Sequence, residues 1–241
     1  MRKRTVLITG VTGGIGSNIA TLFAERGWNI VGQYCSSKEK ACALASLMEK
    51  YDINLKLLRA DFTQELKVKA FLSKLTMPID SLINNSGSYY VMKHFSKLTM
   101  KEINCAFMIN TFVPMLLTSK IFLNMKKKGF GRIVNISSIA SKYGGSTHSM
   151  HYGCAKRALE GITKTLAREG AEHNVLVNTV RPGVIDTEAH EKFKKNMEAR
   201  VSLIPLKRKG SPKDIAKMAY YLGSEENNFI TNEIITISGG E

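Results

Sequence analysis

The sequence predicts a single doubly wound α/β domain, and three observations carry that expectation. Short apolar runs alternate with amphipathic stretches along the chain, the rhythm of β-α units feeding a parallel sheet. A glycine-rich turn follows the first apolar run at once and opens the first amphipathic stretch. The length, 241 residues, suits one large domain, and no repeat, low-complexity tract or Pro/Ser-rich linker divides it.

Seven strands are expected, at Val6–Thr9, Ile30–Tyr34, Leu55–Arg59, Ile79–Asn84, Arg132–Ser137, Val175–Val180 and Glu233–Ile237. Between them the pattern predicts helices at Ser17–Arg26, Lys38–Lys50, Gln64–Leu75, Lys101–Lys127, Tyr152–His173 and Pro212–Gly223. The first carries Ile15, Ile19, Leu22 and Phe23 on one face, which packs on the sheet. Gly27 and Gly170 fall near expected helix ends. Asp186–Leu206 has no place in the sheet rhythm. Its helical spacing (Ala189, Phe193, Met197) between Thr187 and Pro205 predicts a flap over the cleft, residues 186–206.

Composition narrows the function classes. At 44% hydrophobic and 23% charged residues the chain is not of disordered type. No continuous apolar run approaches the ~18 residues of a membrane span. Met1-Arg2-Lys3-Arg4 resembles the start of a signal peptide, but the apolar segment behind it is a strand's length and stops at Gly10. Cys35, Cys42, Cys105 and Cys154 show no Cys-x-x-Cys spacing, so reduced thiols in the cytoplasm are expected. His148 and His151 stand three apart, yet no cysteine–histidine set completes a metal site, and no metal is expected. Thirty-five basic against twenty acidic residues give +15. The bases are scattered through helices, with short runs at Lys126–Lys128 and Lys207–Lys209, and no nucleic-acid motif accompanies them. A solvated surface is the first reading and an acidic partner the second; neither nucleic acid nor membrane is expected.

Two motifs carry chemistry. Gly10, Thr12, Gly13, Gly14, Ile15 and Gly16 form the first strand–helix turn. Glycines there allow a sharp turn and close approach to a pyrophosphate, and the helix N-terminus offers free N–H groups. A plain tight turn is the bland alternative. Tyr152 and Lys156 stand four apart on a predicted helix and so share a face. A lysine ammonium stabilises a phenolate and lowers the tyrosine pKa from near ~10, which suits proton donation. An ordinary surface pair is the alternative in isolation.

In order along nearly the whole chain, the motifs resemble those of the short-chain dehydrogenases/reductases. Thr9-Gly10-Val11-Thr12-Gly13-Gly14-Ile15-Gly16 is similar to the family's Thr-Gly-x-x-x-Gly-x-Gly, and Asn84-Asn85-Ser86-Gly87 to its Asn-Asn-Ala-Gly. Ser137-Ser138, Tyr152-Gly153-Cys154-Ala155-Lys156, Arg181-Pro182-Gly183 and the tail Ile237-Ser238-Gly239-Gly240 follow. The resemblance implies a Rossmann-type, about seven-stranded parallel sheet with helices on both faces. It implies a catalytic set of Asn110, Ser138, Tyr152 and Lys156. Ser138 binds the substrate oxygen, with Ser137 its rival. Asn110 holds a water in a relay reaching Lys156, and Lys156 binds the nicotinamide ribose while Tyr152 supplies the proton. Asn85, Ser86, Gly87, Pro182, Gly183, Val184 and Thr187 then line the cofactor, and Asp61 with Phe62 meets the adenine. For Asp61 a helix cap or loop acid is the alternative.

An NAD site needs a carboxylate after the second strand. Ser36, Ser37 and Lys38 stand there instead, with no acid before Glu39, so NADPH is favoured over NADH. Gly13 departs from the family's NADPH pattern, where a basic residue is common. The layout looks most like the 3-oxoacyl-acyl-carrier-protein reductases of fatty-acid or polyketide synthesis, and an acidic carrier would suit a +15 enzyme. A free ketone, aldehyde or sugar is the competing substrate class, and an inactive nucleotide-binding scaffold the remote one. By analogy a homotetramer or homodimer is expected.

Overall fold

Val6, Leu7 and Ile8 are fully buried at the middle of a seven-stranded parallel sheet. The computed structural model describes residues 2–188 and 197–241. The strands are β1 (Thr5–Thr9), β2 (Asn29–Tyr34), β3 (Leu55–Arg59), β4 (Ser81–Asn84), β5 (Gly131–Ile136), β6 (Val175–Pro182) and β7 (Ile234–Ile237), ordered β3-β2-β1-β4-β5-β6-β7. All seven expected strands are present, with ends shifted by at most two residues. Strand order reverses between β1 and β4, which opens a crevice above their carboxyl ends.

Alternation along β1 sends Val6 and Ile8 to one face and Leu7 to the other. The first face packs on α1 (Gly14–Glu25), α2 (Lys38–Met48) and α9 (Pro212–Gly223), through Ile19, Phe23, Leu44, Ile215 and Ala219. The second packs on α3 (Glu65–Ser73), α5 (Val113–Lys128) and α7 (Met150–Ala171), through Phe71, Leu117, Ile121 and Ala167. Burial on both faces is why the central strands β1, β4, β5 and β6 read as largely apolar runs, while the edge strands β3 and β7 are only partly buried.

Helix ends follow their local chemistry. Ser211 and Asp214 form a capping box behind Pro212 at the start of α9, and Thr99 with Glu102 does the same for α4 (Met100–Phe107). α1 begins at Gly14, three residues before the expected Ser17, because first-turn residues need no intrahelical N–H partner and tolerate glycine. The expected single helix Lys101–Lys127 is α4, a π turn at Met108–Phe112 and α5, closed by Gly129 in the left-handed region at φ 67°. This run is long and apolar enough on average to cross a membrane, although polar residues interrupt it. Half of its most apolar stretch is buried, as in a core helix. A short α6 (Ala140–Tyr143) went unread, being too brief to show a period. Of the expected flap, Met197 opens α8 (Met197–Ser202), while Ala189 and Phe193 lie outside the described residues.

Candidate active site

At the switch point the turn between β1 and α1 is closed to side chains. Gly10 sits at φ 64°, and a Cβ on Gly16 would lie 2.2 Å from the Gly10 carbonyl oxygen. Gly13 and Gly14 are exposed, Thr12 and Ile15 half-buried. No side chain caps α1, and its first turn holds no acid. The orphan amides and the positive end of the helix dipole are therefore left for an anion, the chemistry a pyrophosphate would meet.

Gln33, which the sequence reading passed over, ties this turn to its neighbours. Its Oε1 accepts from Gly10 N and from Ser86 Oγ, both at 2.9 Å, and its Nε2 donates to Ala60 O at 2.7 Å. Asn85 donates through Nδ2 to the carbonyls of Thr9 (2.9 Å) and Gly10 (3.2 Å). The side chains of Asn85 and Ser86 thus fasten the β1 and β4 loops together. Gly87 is left exposed above the Lys156 ammonium, 2.9 Å from the place a Cβ would take.

Beyond β2, Ser36 and Lys38 are exposed and Ser37 half-buried. Arg59 joins them from the end of β3, its Nε donating to Cys35 O at 3.0 Å. Strand pairing places Arg59 opposite Tyr34, a register no local motif announces. Two expected adenine contacts change character. Asp61 accepts from Thr63 N and Oγ1 and from Gln64 Nε2, so it is engaged as a turn acid at the entry to α3. Partial burial raises its pKa, but those bonds outweigh it and hold the carboxyl below the usual range. The Phe62 ring packs edge-on to Phe71 in the core, which leaves only its main chain for a ligand.

The other end of the crevice is a cleft of about 760 Å³ that holds Ser138, Tyr152 and Lys156 together with Pro182, Gly183, Val184 and Thr187. A Cβ on Gly14 would lie 3.1 Å from Thr187 Cγ2, so the β6 loop meets the phosphate turn across the crevice. The structure separates the two serines. Ser137 is buried and donates to Glu160 Oε1 at 2.8 Å, whereas Ser138 lines the cleft beside Tyr152, its Oγ accepting from Ala140 N at 3.2 Å. Asn110 is fully buried on the π turn. Its Nδ2 donates to Ser88 O and Ala106 O, both at 2.7 Å, and its Oδ1 accepts from Ser88 N at 3.2 Å.

Lys156 is 2% exposed and donates to Ile136 O at 2.7 Å. Burial pulls its ammonium down to about 7, with the Glu160 carboxylate pulling the other way. Burial likewise raises the Tyr152 phenol, and Tyr89 adds to this while the Ser138 hydrogen bond opposes it. The expected lowering of Tyr152 by Lys156 is therefore not what the site shows: desolvation of the phenolate sets the direction of the shift, and Lys156 is not among its causes. The phenol stays protonated, the form that a proton donor needs.

Glu160, also unread in the sequence, lies one turn beyond Lys156. It is 3% exposed, and Arg181 donates to it through Nε at 2.9 Å and Nη2 at 2.8 Å. Its burial would raise the carboxyl pKa, but the bonds from Arg181, Ser141 and Ser137 hold it low. Extending the Tyr152–Lys156 face by one more turn would have found it.

A parallel sheet with a glycine turn at its switch point and a serine–tyrosine–lysine cluster facing that turn is the frame of a short-chain oxidoreductase. The family model described as enoyl-(acyl carrier protein) reductase matches residues 10–241. The chain belongs to the short-chain dehydrogenase/reductase family. It is 32% identical to the 3-oxoacyl-(acyl-carrier-protein) reductase of Aquifex aeolicus over 100% of this chain and 98% of that one. It is 31% identical to the acetoacetyl-CoA reductase of Rhizobium meliloti, over 99% and 98%. Among solved structures it resembles a blue fluorescent protein from a metagenomic library in complex with NADPH, with TM-score 0.90 and 27% identity over 98% and 97% of the chains.

Proposed function

We propose that the protein reduces a ketone to a secondary alcohol with NADPH, the ketone being a 3-oxoacyl thioester carried by an acyl carrier protein. The observation that carries this reading is the buried Lys156, lying beneath Gly87 and beside Tyr152 and Ser138 in a cleft that adjoins the phosphate turn. Bound NADPH supplies the hydride. Ser138 donates to the carbonyl oxygen and fixes it against Tyr152. Tyr152 gives its phenolic proton to that oxygen as negative charge develops. Lys156 holds the ribose hydroxyls, and a water on Asn110 links it to solvent, so that Tyr152 regains its proton.

Several observations support the finer assignments. Ser36, Ser37, Lys38 and Arg59 offer hydroxyls and cations to a 2′-phosphate, and no carboxylate precedes Glu39 to repel it. The similarity to the Aquifex reductase and the +15 charge favour a carrier-bound substrate. Lys126 and Lys128 pair with Glu169 and Asp80 on the face away from the cleft. Lys207–Lys209, following the cleft residue Leu203, is the better docking run. Phe112 on the π turn and Met115, Leu116 and Leu123 on α5 leave apolar surface exposed, which supports self-association.

The test is NADPH oxidation with a 3-oxoacyl group on carrier protein, on coenzyme A and on a small thiol, beside free ketones and sugars. The carrier substrate is expected to give the highest kcat/KM. Turnover of free ketones or sugars with none of any thioester would reject the substrate assignment.

A further inference from the structure

Tyr152 is preceded by a histidine that the chemistry above does not use. His151 is buried, 3% exposed, in the first turn of α7. Its Nε2 lies 2.8 Å from Tyr89 O and 3.1 Å from Val91 O. Both partners are carbonyls and only accept, so Nε2 carries the hydrogen and donates to the pair. Nδ1 is then buried and has no hydrogen-bond partner among the described residues. Among those residues the ring's polar contacts go to one loop.

That loop, residues 88–93, runs along the cleft and is fixed at each step. Ser88 is clasped by the Asn110 amide through both its N–H and its carbonyl. Tyr90 N donates to Ser88 Oγ at 2.9 Å, and Lys93 N to His148 O at 3.0 Å. Tyr90 takes φ 61°, a strained value for a side-chain-bearing residue that persists only where the surroundings impose it. The result is that Tyr89 is laid against the catalytic tyrosine, ring centroids 4.2 Å apart and planes at 44°. Tyr89 and Met92 wall the cleft, and Met197 and Leu203 stand among its other lining residues.

We propose that Tyr89 selects the substituent beside the substrate carbonyl, and that His151 is the positioning residue that holds Tyr89 in place. This rests on the ketone-reduction reading. A carbonyl oxygen bound between Ser138 and Tyr152 must send one carbon substituent past the Tyr89 ring. A flat aromatic wall lined by methionine admits a straight alkyl chain and refuses branching next to the ketone.

The experiment compares a straight 3-oxobutyryl thioester of N-acetylcysteamine with its 2-methyl-branched analogue. The wild-type enzyme is expected to prefer the straight substrate. Tyr89→Ala is expected to raise the branched-to-straight kcat/KM ratio about tenfold; because Tyr89 also packs on Tyr152, any change in the proton donor acts on both substrates alike and cancels in the ratio. His151→Leu removes the donor and is expected to relax selectivity in the same direction and to speed amide hydrogen exchange over residues 89–93. His151→Gln keeps an N–H and is expected to restore both. Unchanged NADPH affinity in each variant controls for folding. An unaltered ratio in Tyr89→Ala overturns the role of Tyr89, and unaltered exchange in His151→Leu overturns that of His151. A wild-type enzyme that reduces no ketone overturns the functional reading and Tyr89's role with it, while the exchange measurement still decides whether His151 holds the loop.

Discussion

The two ends of the crevice are built in opposite ways. At the end proposed to take the cofactor's phosphates, between β1, β2 and β3, what is on offer is main-chain geometry and exposed side chains such as Ser36, Lys38 and Arg59. At the other end, proposed to take the carbonyl, Lys156, Glu160, Asn110 and Ser137 are all under 5% exposed; Ser137 hydrogen-bonds Glu160 and the Lys156 carbonyl, and Asn110 is bonded to Ser88 and Ala106. Charges in water are individually weak and easily exchanged, whereas buried polar groups are costly unless every one is partnered. Cofactor choice is thus adjustable at small cost in stability, and the catalytic end is not.

The sharpest way to break this comparison is Tyr152→Phe. The ring remains and only the proton donor goes, so kcat should fall by about 10²–10⁴ while NADPH affinity, measured by fluorescence titration, stays level. A near-normal kcat would remove the catalytic end from the proposal.

Glu160→Gln asks whether the carbonyl end is structurally committed. It leaves the largely covered Arg181 guanidinium without its charge partner, so urea unfolding should show a loss of about 2–4 kcal/mol, somewhat below that for a fully buried pair. Arg59→Ala at the exposed end should stay within about 0.5 kcal/mol of wild type in the same assay. Equal losses would dissolve the distinction.

Cofactor selectivity should move in the reverse sense. Ser36→Asp sets a carboxylate against the 2′-phosphate and should lower the NADPH-to-NADH ratio in kcat/KM by about tenfold or more, with kcat little changed. A wild-type preference for NADH would show that the end of β2 has been misread.

The pH profile sharpens the electrostatic side. Burial depresses the Lys156 pKa to about 7, so its ammonium is present below that pH and lost above it. The kcat/KM for reduction should therefore decline as pH rises through about 7, toward tenfold per pH unit. Glu160→Gln, lacking the carboxylate that holds the ammonium up, should move the decline to lower pH. A limb at the same pH in both enzymes would mean that Lys156 is not the titrating group.

The smallest effect concerns the surface. Reversing Lys207, Arg208 and Lys209 to acids should reduce kcat/KM several-fold for carrier-bound substrate, and added salt should blunt the difference. A small thioester should be indifferent, and NADPH affinity should not change. Equal salt dependence for both substrates would leave the +15 as a solvated surface.

The sequence by itself determined the parallel sheet, the glycine turn and the Ser138, Tyr152 and Lys156 cluster, because each is written locally. A strand buried on both faces reads as an apolar run, a pyrophosphate turn reads as glycines, and two side chains four apart on a helix must share a face. It left the two serines undivided, since neighbouring residues differ only in which way the chain turns them. The tertiary structure turned Ser137 into Glu160 and set Ser138 in the cleft with Tyr152. It brought Arg59 beside Cys35, set Gln33 between three loops and hung Tyr89 from His151. It also set the sign of the tyrosine shift. A lysine four residues away was visible in the sequence, but the desolvation that sets the direction of the shift came only with packing from all sides.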